Sequence, residues 1–211
     1  MKIGYRRAVA LLLLCAGLSA GCGAARPARY YELTVPREKE TDPPGPVYEV
    51  RLLLGPIVAS HLYREDHIVY GTTTEQMGTY EYERWAEPPT EMIHEVLLRE
   101  LRASGRFREV HGVRSNLNGD YLLLGRLYDF KEMTGAQLMA RLTIGYELRD
   151  VKTGTTLWQH FYSYDEPVDH KNVAAVVAAL DQNVQRSIAD CQANLEQYFA
   201  SHPSKPDAPA Q

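Results

Sequence analysis

Cysteine is scarce in this chain, with only Cys15, Cys22 and Cys191 among 211 residues. The first two lie in or directly behind an apolar N-terminal run that has the composition of a targeting signal. Because a single thiol then remains for the rest of the chain, the sequence excludes a fold held together by internal disulfides. Cys191 falls on the apolar side of a helical pattern, and we expect a buried, unreactive thiol there.

Basic charge is also limited, since 23 Lys and Arg stand against 27 Asp and Glu and the net charge is −4. This balance lacks the basic footprint of a nucleic-acid-binding protein, so no nucleic-acid partner is expected. Residues 1–21 hold three basic side chains and no acidic one, which leaves a net charge of −7 for the remainder. That charge argues against electrostatic attachment of the body to anionic lipid heads.

Motifs that carry catalysis or bind cofactors are missing as well. The chain has no Walker A loop, no Gly-x-Ser-x-Gly, no Gly-x-Gly-x-x-Gly and no helical zinc-binding frame. The polar residues of 61–67 are interpreted as a solvated rim, and those of 165–170 as the approach to a helix that Asp169 or Asn172 caps. We therefore predict a protein that is not an enzyme, with no cofactor and no metal, so that any energy must come from a partner.

The N-terminus has the pattern of an exported, lipid-modified protein. Basic residues 1–7 precede 13 apolar or small residues at 8–20, a run too short to span a bilayer. Leu18-Ser19-Ala20-Gly21-Cys22 resembles the lipobox of bacterial lipoproteins. The resemblance implies a signal peptide at 1–21, acylation of Cys22 (palmitate is the expected chain) and a tether at 22–29. An ordinary secretory signal with an incidental cysteine is the alternative.

A period of two dominates most of the remaining sequence. In residues 137–150 apolar and polar side chains alternate, as expected for a strand of an antiparallel sheet with one wet face. Gly55-Pro56 is interpreted as the turn that ends the first long strand. Further β-prone runs are interpreted in the same way. The predicted strands are 30–35, 47–54, 67–73, 78–85, 107–111, 120–133, 137–150 and 155–164.

Two stretches have helical spacing instead. The first opens at Pro88-Pro89, carries one apolar stripe and ends at Gly105. The second covers about 171–200. Strands in runs, separated by helices, are typical of the α+β class. We predict a mainly antiparallel sheet with two helices packed on one face, in one domain at 30–201, followed by a disordered, proline-rich tail at 202–211.

The sequence resembles one known family over nearly all of this domain. The most specific segment is Tyr-Glu-Arg-Trp-Ala-Glu-Pro-Pro at 82–89, which joins an aromatic strand to the first helix. Supporting segments are Tyr-Tyr-Glu-Leu at 30–33, Leu-Tyr-Arg and Ile-Val-Tyr within 62–70, and the apolar start of the last helix at 173–180. Together they resemble the ABC-type transport auxiliary lipoproteins, which include the paraquat-inducible C lipoproteins.

This resemblance implies a non-catalytic periplasmic lipoprotein that acts as the auxiliary component of a lipid (phospholipid) transport system. The implied partners are a mammalian-cell-entry (MCE) domain protein, an inner-membrane permease and an ATPase, and a homo-oligomer stays open as well. Gly23 in place of Asp implies the outer membrane, with acyl chains as the attachment and the body on the periplasmic face. A structural or assembly lipoprotein of an unrelated envelope complex, and a lipid or glycan hydrolase, are the rival classes.

Partner binding is predicted at Tyr82, Arg84 and Trp85, where large amphipathic side chains stand at the end of a strand. Tyrosine is abundant, with 14 against 4 Phe and 2 Trp, and its hydroxyl suits a wet interface. The alternative is that Trp85 fills a corner of the core beside an ion-paired Arg84. In that case the tyrosines reflect ordinary β-propensity.

Overall fold

The structure is a computed structural model that describes residues 26–35, 45, 47–72, 76–113 and 118–203. The predicted signal peptide at 1–21, Cys22 and the next three residues of the tether lie outside the described residues. Residues 204–211 of the predicted tail do so too.

Within the described residues the order of elements is strands, helix, strands, helix. A short 3-10 helix at His61–Tyr63 follows the second strand. The elements are β1 Arg29–Tyr31, β2 Tyr48–Ala59, β3 His67–Gly71, β4 Met77–Trp85, α1 Pro89–Ala103, β5 Phe107–Gly112, β6 Tyr121–Met133, β7 Met139–Asp150, β8 Thr156–Pro167 and α2 Val173–Ser201.

Strand β6 is the centre of an eight-stranded sheet. Along one edge it pairs antiparallel with β7 over its whole length, and β7 pairs antiparallel with β8. Along the other edge the N-terminal half of β6 pairs with β2 and its last three residues pair with β3, both in parallel. Strand β5 extends the sheet beyond β2, while β4 and then β1 extend it beyond β3. The predicted mainly antiparallel α+β fold is confirmed, and the parallel pairs are an addition to it.

The predicted end of the first long strand at Gly55-Pro56 is wrong. Strand β2 continues to Ala59, and its register with β6 shifts between Leu54 and Ile57. Gly55 and Pro56 therefore form a bulge, where the missing N–H of proline breaks no ladder bond. A Cβ on Gly55 would lie 2.5 Å from a methyl carbon of Leu124, so a larger residue here would force the Leu124 side chain to move.

Both helices begin and end on features visible in the sequence. Helix α1 has Pro89 in its first turn, and Gly105 beyond its C-terminus takes a φ of +60°, which glycine tolerates best. Helix α2 begins after Asn172, whose side-chain oxygen accepts the Ala175 N–H at 2.9 Å. The predicted cap is thus confirmed for Asn172.

The core lies between the helices and one face of the sheet. Helix α1 packs on β2 and β5, α2 packs on β7 and β8, and the two helices touch each other, so both cover the same face. Apolar side chains of α1 and α2 meet those of β6 and β7 there. The largest contributors that are fully buried include Leu52, Leu54, Ile93, Leu97, Leu123, Ile144, Leu148, Leu180, Val184 and Leu195.

The first described segment is fastened to this core from both sides. Strand β1 pairs with β4, and the Leu33 side chain is buried. The Thr34 N–H donates to the Asp181 carboxylate at 3.0 Å, and the Thr34 carbonyl accepts from Gln185 at 2.8 Å. The chain that follows the tether is therefore held by the sheet and by α2 together.

The buried stripe of α2 makes a direct stability prediction. Leu180→Asp places an unpaired carboxylate in the core and should cost about 4 kcal/mol or more. The melting temperature, followed by circular dichroism, should fall by about 10 °C or more. Ala178→Asp is the matched control, because Ala178 is exposed on the same turn. Equal melting temperatures for Leu180→Asp and Ala178→Asp would remove α2 from the core.

Candidate partner-binding surface

Trp85, the first of the predicted anchors, lies in the core. Its side chain is 1% exposed, and its ring centroid is 5.2 Å from that of Phe130 on β6. Its backbone N–H donates to the Asp66 carbonyl at 2.7 Å. The expectation that Trp85 presents its ring to a partner is therefore wrong, because the centre of the sheet already buries that ring.

Arg84 and Tyr82 stay at the surface beside it. The Arg84 Nη1 donates to both carboxylate oxygens of Asp66, at 2.9 and 3.0 Å, and the pair is partly exposed. Tyr82 is partly exposed, with the Arg26 guanidinium carbon 5.5 Å from its ring centroid. Arg84 thus matches the ion-paired alternative, while Tyr82 and Arg26 together form a small aromatic and basic patch near the tether.

The tyrosines of β8 also turn out to be structural. Asn194 Nδ2 donates to the Tyr162 hydroxyl at 3.0 Å, and the Tyr164 hydroxyl donates to Asp190 at 2.5 Å. Burial against α2 raises the pKa of both phenols. Cys191 is fully buried on the same helix, and burial raises the pKa of its thiol, so the predicted unreactive cysteine is confirmed.

Neither α1 nor α2 covers the other face of the sheet, and the 3-10 helix reaches it at Asp129, which accepts from the Tyr63 hydroxyl at 3.5 Å. Alternation along β7 sends every second side chain to this open face. Strand β7 contributes Arg141, Thr143, Gly145, Glu147 and Arg149, and β8 contributes Gln159, Phe161, Ser163 and Asp165. The predicted polar side of β7 is thus confirmed. The neighbouring strands also place Val58, Leu122 and Leu124 on this face, and its most exposed apolar feature is aromatic.

That feature is an aromatic pair at the middle of the open face. The rings of Tyr128 and Phe161 lie 5.3 Å apart at 57°, with 47% and 57% of the two residues exposed. Gly145 lies beneath both rings, and a Cβ there would be 3.5 Å from Tyr128 and 3.6 Å from Phe161. Beside the pair is a depression of about 260 Å³ that Pro56, Val58, Leu124 and Gln159 help to line.

Paired charges surround the aromatic pair. Arg141 donates two hydrogen bonds to Asp165, at 2.7 and 2.6 Å, and Arg149 donates two to Glu147, at 2.7 and 3.0 Å. These bonds lower the pKa of both carboxyl groups, and Thr156 also donates to Glu147. Each partly exposed pair adds at most about 1 kcal/mol of stability. Their larger effect is to give the open face a fixed polar rim.

An exposed aromatic centre with a charged rim is the anatomy of a protein interface. The sequence contained a signal for it that our prediction missed. Phe161 stands on the polar side of the β8 alternation, between Gln159 and Ser163, where a phenylalanine has no reason in folding to be. Tyr128 could not be assigned to a face from sequence, because β6 is bulged between Leu127 and Asp129.

The polar residues near the 3-10 helix form a chain of ion pairs. His61 Nδ1 lies 3.3 Å from Glu65, and His67 Nδ1 lies 3.5 Å from Glu65 and 3.6 Å from Asp66. Across the described part of the chain, no group of three or more His, Cys, Asp or Glu is placed to hold a metal ion. No helix in that part is both long and apolar enough to cross a membrane.

Comparison with known proteins gives one family and a common fold. Residues 31–190 match the family described as "ABC-type transport auxiliary lipoprotein component". The crystal structure of a Xanthomonas campestris protein of family DUF330 has a TM-score of 0.73 at 19% identity, covering 82% of this chain and 98% of that one. An uncharacterized protein has a TM-score of 0.62 at 16% identity, covering 81% and 99%. At such identities the two structures share the fold alone. No curated protein matches the chain.

Trp85 and Arg84 at the end of β4 differ in burial, so their truncation should lower stability by different amounts. Trp85→Ala should destabilise the fold by about 3–5 kcal/mol, because it leaves a cavity beside Phe130. Arg84→Ala removes a partly exposed ion pair and should cost no more than about 1 kcal/mol. Urea unfolding of both variants measures the difference. A Trp85→Ala protein as stable as Arg84→Ala would contradict the core position of Trp85.

Proposed function

Since the chain belongs to the family of ABC-type transport auxiliary lipoprotein components, we propose that it is the non-catalytic auxiliary subunit of an MCE-type lipid transport system. In this proposal Cys22 is acylated, the acyl chains hold the protein in the outer membrane, and the body lies on the periplasmic face. The partners are the MCE-domain protein and, through it, the inner-membrane permease and the ATPase. Phospholipid is the proposed cargo of the system.

The observation that carries a binding role is the open face of the sheet. Tyr128 and Phe161 expose a contiguous aromatic surface to solvent, framed by charges that are already paired. Exposed aromatic side chains that lie side by side within a polar rim are typical of protein interfaces. The carboxylates beside the pair, Asp165 and Glu147, are hydrogen-bonded to arginines, which favours docking over chemistry.

Anchoring and docking are compatible with the layout of the fold. The seven Cα–Cα steps from Cys22 to Arg29 span at most about 25 Å when the chain is extended. Strand β1 would therefore stay close to the membrane, with Tyr82, Arg84 and Arg26 on the neighbouring strand or tether. We keep Tyr82 and Arg84 as a second proposed contact for the partner. The Tyr128 and Phe161 pair lies across the sheet from this edge, on β6 and on β8 beyond it.

The rival proposal is a structural or assembly lipoprotein of another envelope complex. It would use the same anchor and the same open face with a different partner. The family match favours the transport role. Capture of the MCE-domain protein separates the two.

The first functional prediction concerns the anchor. Cys22→Ala should leave an unacylated precursor that keeps residues 1–21. Labelling cells with a radioactive fatty acid measures this, and a label on Cys22→Ala equal to that of the parent would end the lipoprotein assignment. Cys15→Ala is the matched control, because it changes a cysteine of the signal and should label normally.

The second functional prediction concerns the partner. The double change Tyr128→Ala and Phe161→Ala should lower capture of the MCE-domain protein about tenfold or more, since a few central aromatic side chains supply most of an interface's affinity. Val113→Ala is the control, because Val113 is an exposed apolar residue beside α1, away from both proposed contacts. Circular dichroism must show both proteins folded.

A second pair of changes, Tyr82→Ala and Arg84→Ala, tests the proposed contact near the tether in the same assay. Loss of capture in this pair alone would move the docking site to the β4 end of the sheet. Failure of the parent to capture the MCE-domain protein at any concentration would favour the unrelated-complex proposal.

A further inference from the structure

The described part of the chain begins close to the proposed anchor. Arg26 is its first residue, and only three residues separate Arg26 from Cys22. Four Cα–Cα steps span at most about 14 Å when the chain is extended. With Cys22 acylated, as proposed above, Arg26 therefore stays within about 14 Å of a residue whose acyl chains lie in the bilayer.

Arg26 is itself in contact with the folded body. Its guanidinium carbon lies 5.5 Å from the ring centroid of Tyr82 on β4. Strand β1 follows three residues later and pairs with β4, with Tyr30 in register with Arg84. Strand β1 is the end of its side of the sheet. Because the tether is short and leads directly to this strand, the β1 edge is the part of the body that the anchor brings to the membrane.

The β1 edge carries the most exposed large apolar side chain of the described residues. That residue is Tyr30, which is 64% exposed. Its ring has no aromatic partner and its hydroxyl no hydrogen bond in the part of the chain that the structure describes. Tyrosine joins an apolar ring to a polar hydroxyl, and it is enriched where lipid headgroups meet the hydrocarbon. The interfacial layer of a bilayer suits both parts of this side chain.

Basic charge is concentrated at the same end of the chain. Residues 22–31 contain Arg26 and Arg29 and no acidic residue, so their net charge is +2, whereas residues 32–211 have a net charge of −9. The Arg29 side chain is 69% exposed, with its Nη1 3.4 Å from Glu83. Guanidinium groups form charge-assisted hydrogen bonds with phosphate. Because Glu32 and Glu81 are also exposed nearby, charge alone does not single out this edge, and the tether and Tyr30 are needed as well.

We propose that the β1 edge docks on the phospholipid surface, with Tyr30 in the headgroup layer and Arg26 and Arg29 on lipid phosphates. The headgroup layer extends about 5–7 Å beyond the hydrocarbon on each side of a bilayer. Side chains as long as those of tyrosine and arginine reach into such a layer from a body that rests on it. In the proposed outer-membrane location this surface is the periplasmic leaflet.

This contact goes beyond the proposed docking role because it fixes which side of the body faces lipid. Acyl chains alone leave the body free to rotate about its tether, whereas a second contact gives it one orientation. Tyr128 and Phe161 lie on β6 and β8, across the sheet from β1, and stay accessible to a partner in the periplasm. Tyr82 and Arg84 lie one strand in from the edge, so their proposed contact is kept.

The test places a fluorescent label on the full acylated chain in vesicles of phosphatidylethanolamine and phosphatidylglycerol. Glu32→Cys supplies the labelling site, because Glu32 is exposed two residues after Tyr30 and all three proposed lipid contacts are kept. Acylated Cys22 and buried Cys191 do not compete for the label. A lipid with a nitroxide on its headgroup should quench the label at residue 32 strongly.

Val151→Cys is the matched control. Val151 is 44% exposed and follows β7, which is four strands, about 19 Å, from β1. The label at residue 32 should be quenched about twofold or more relative to the label at residue 151. Equal quenching at the two positions of an acylated chain would overturn the lipid contact, and the anchor and the docking role would still stand.

A second variant separates the side chains from the tether. In the Glu32→Cys chain, Arg26→Glu with Tyr30→Ala should lower the quenching about twofold or more, with an unchanged melting temperature, while Arg26→Lys with Tyr30→Trp keeps it. If the first pair lowers the melting temperature, Arg26→Glu alone replaces it. Unchanged quenching in a folded variant would mean that the tether alone sets the distance, which overturns the proposal.

Two further outcomes distinguish this inference from the proposed function. A label at residue 32 that lipid quenches, in a chain that captures no MCE-domain protein, would support the lipid contact and refute the proposed function. A label at residue 32 that becomes shielded from a water-soluble quencher only when the MCE-domain protein is added would assign the β1 edge to that partner and overturn the lipid contact.

Discussion

The molecule depends on the fact that the central strands have two faces, and the two long helices of the described residues cover only one of them. Once α1 and α2 cover the apolar side chains of β2, β6 and β7, every alternate residue of those strands must face away from the core. On β7 most of these residues are charged or polar, and they pair either across to β8, as Arg141 does with Asp165, or along the strand, as Arg149 does with Glu147. The exposed rings of Tyr128 and Phe161 stand among them, and the functional interpretation follows from this pair.

Several parts of the fold could be predicted from the spacing of apolar residues within a single segment. The long strands, the two helices, the Asn172 cap and the burial of Cys191 all follow from spacing and from terminal residues within one segment. The wet face of β7 follows from its alternation. These features need no knowledge of which strand lies next to which.

The errors and omissions came from contacts between distant segments. Whether Trp85 is a surface anchor or a core residue depends on Phe130, which reaches it only because β3 pairs in parallel with the end of β6. Gly55-Pro56 is a bulge because the register between β2 and β6 shifts there, which only the pairing of the two strands reveals. Neither the parallel pairs nor the bulge of β6 that places Tyr128 leaves a trace in local composition. The exposure of Phe161 was therefore visible in the β8 alternation, but its pairing with Tyr128 was not.

The way in which β1 is fastened has a mechanical consequence. A force applied to the chain before Arg29 is shared by the ladder to β4, the buried Leu33 side chain and the two hydrogen bonds that connect Thr34 to α2. The force is therefore carried by the longest helix and the sheet together, and breaking the ladder between β1 and β4 alone does not free the segment. Under load the body should therefore move as one unit with its point of attachment.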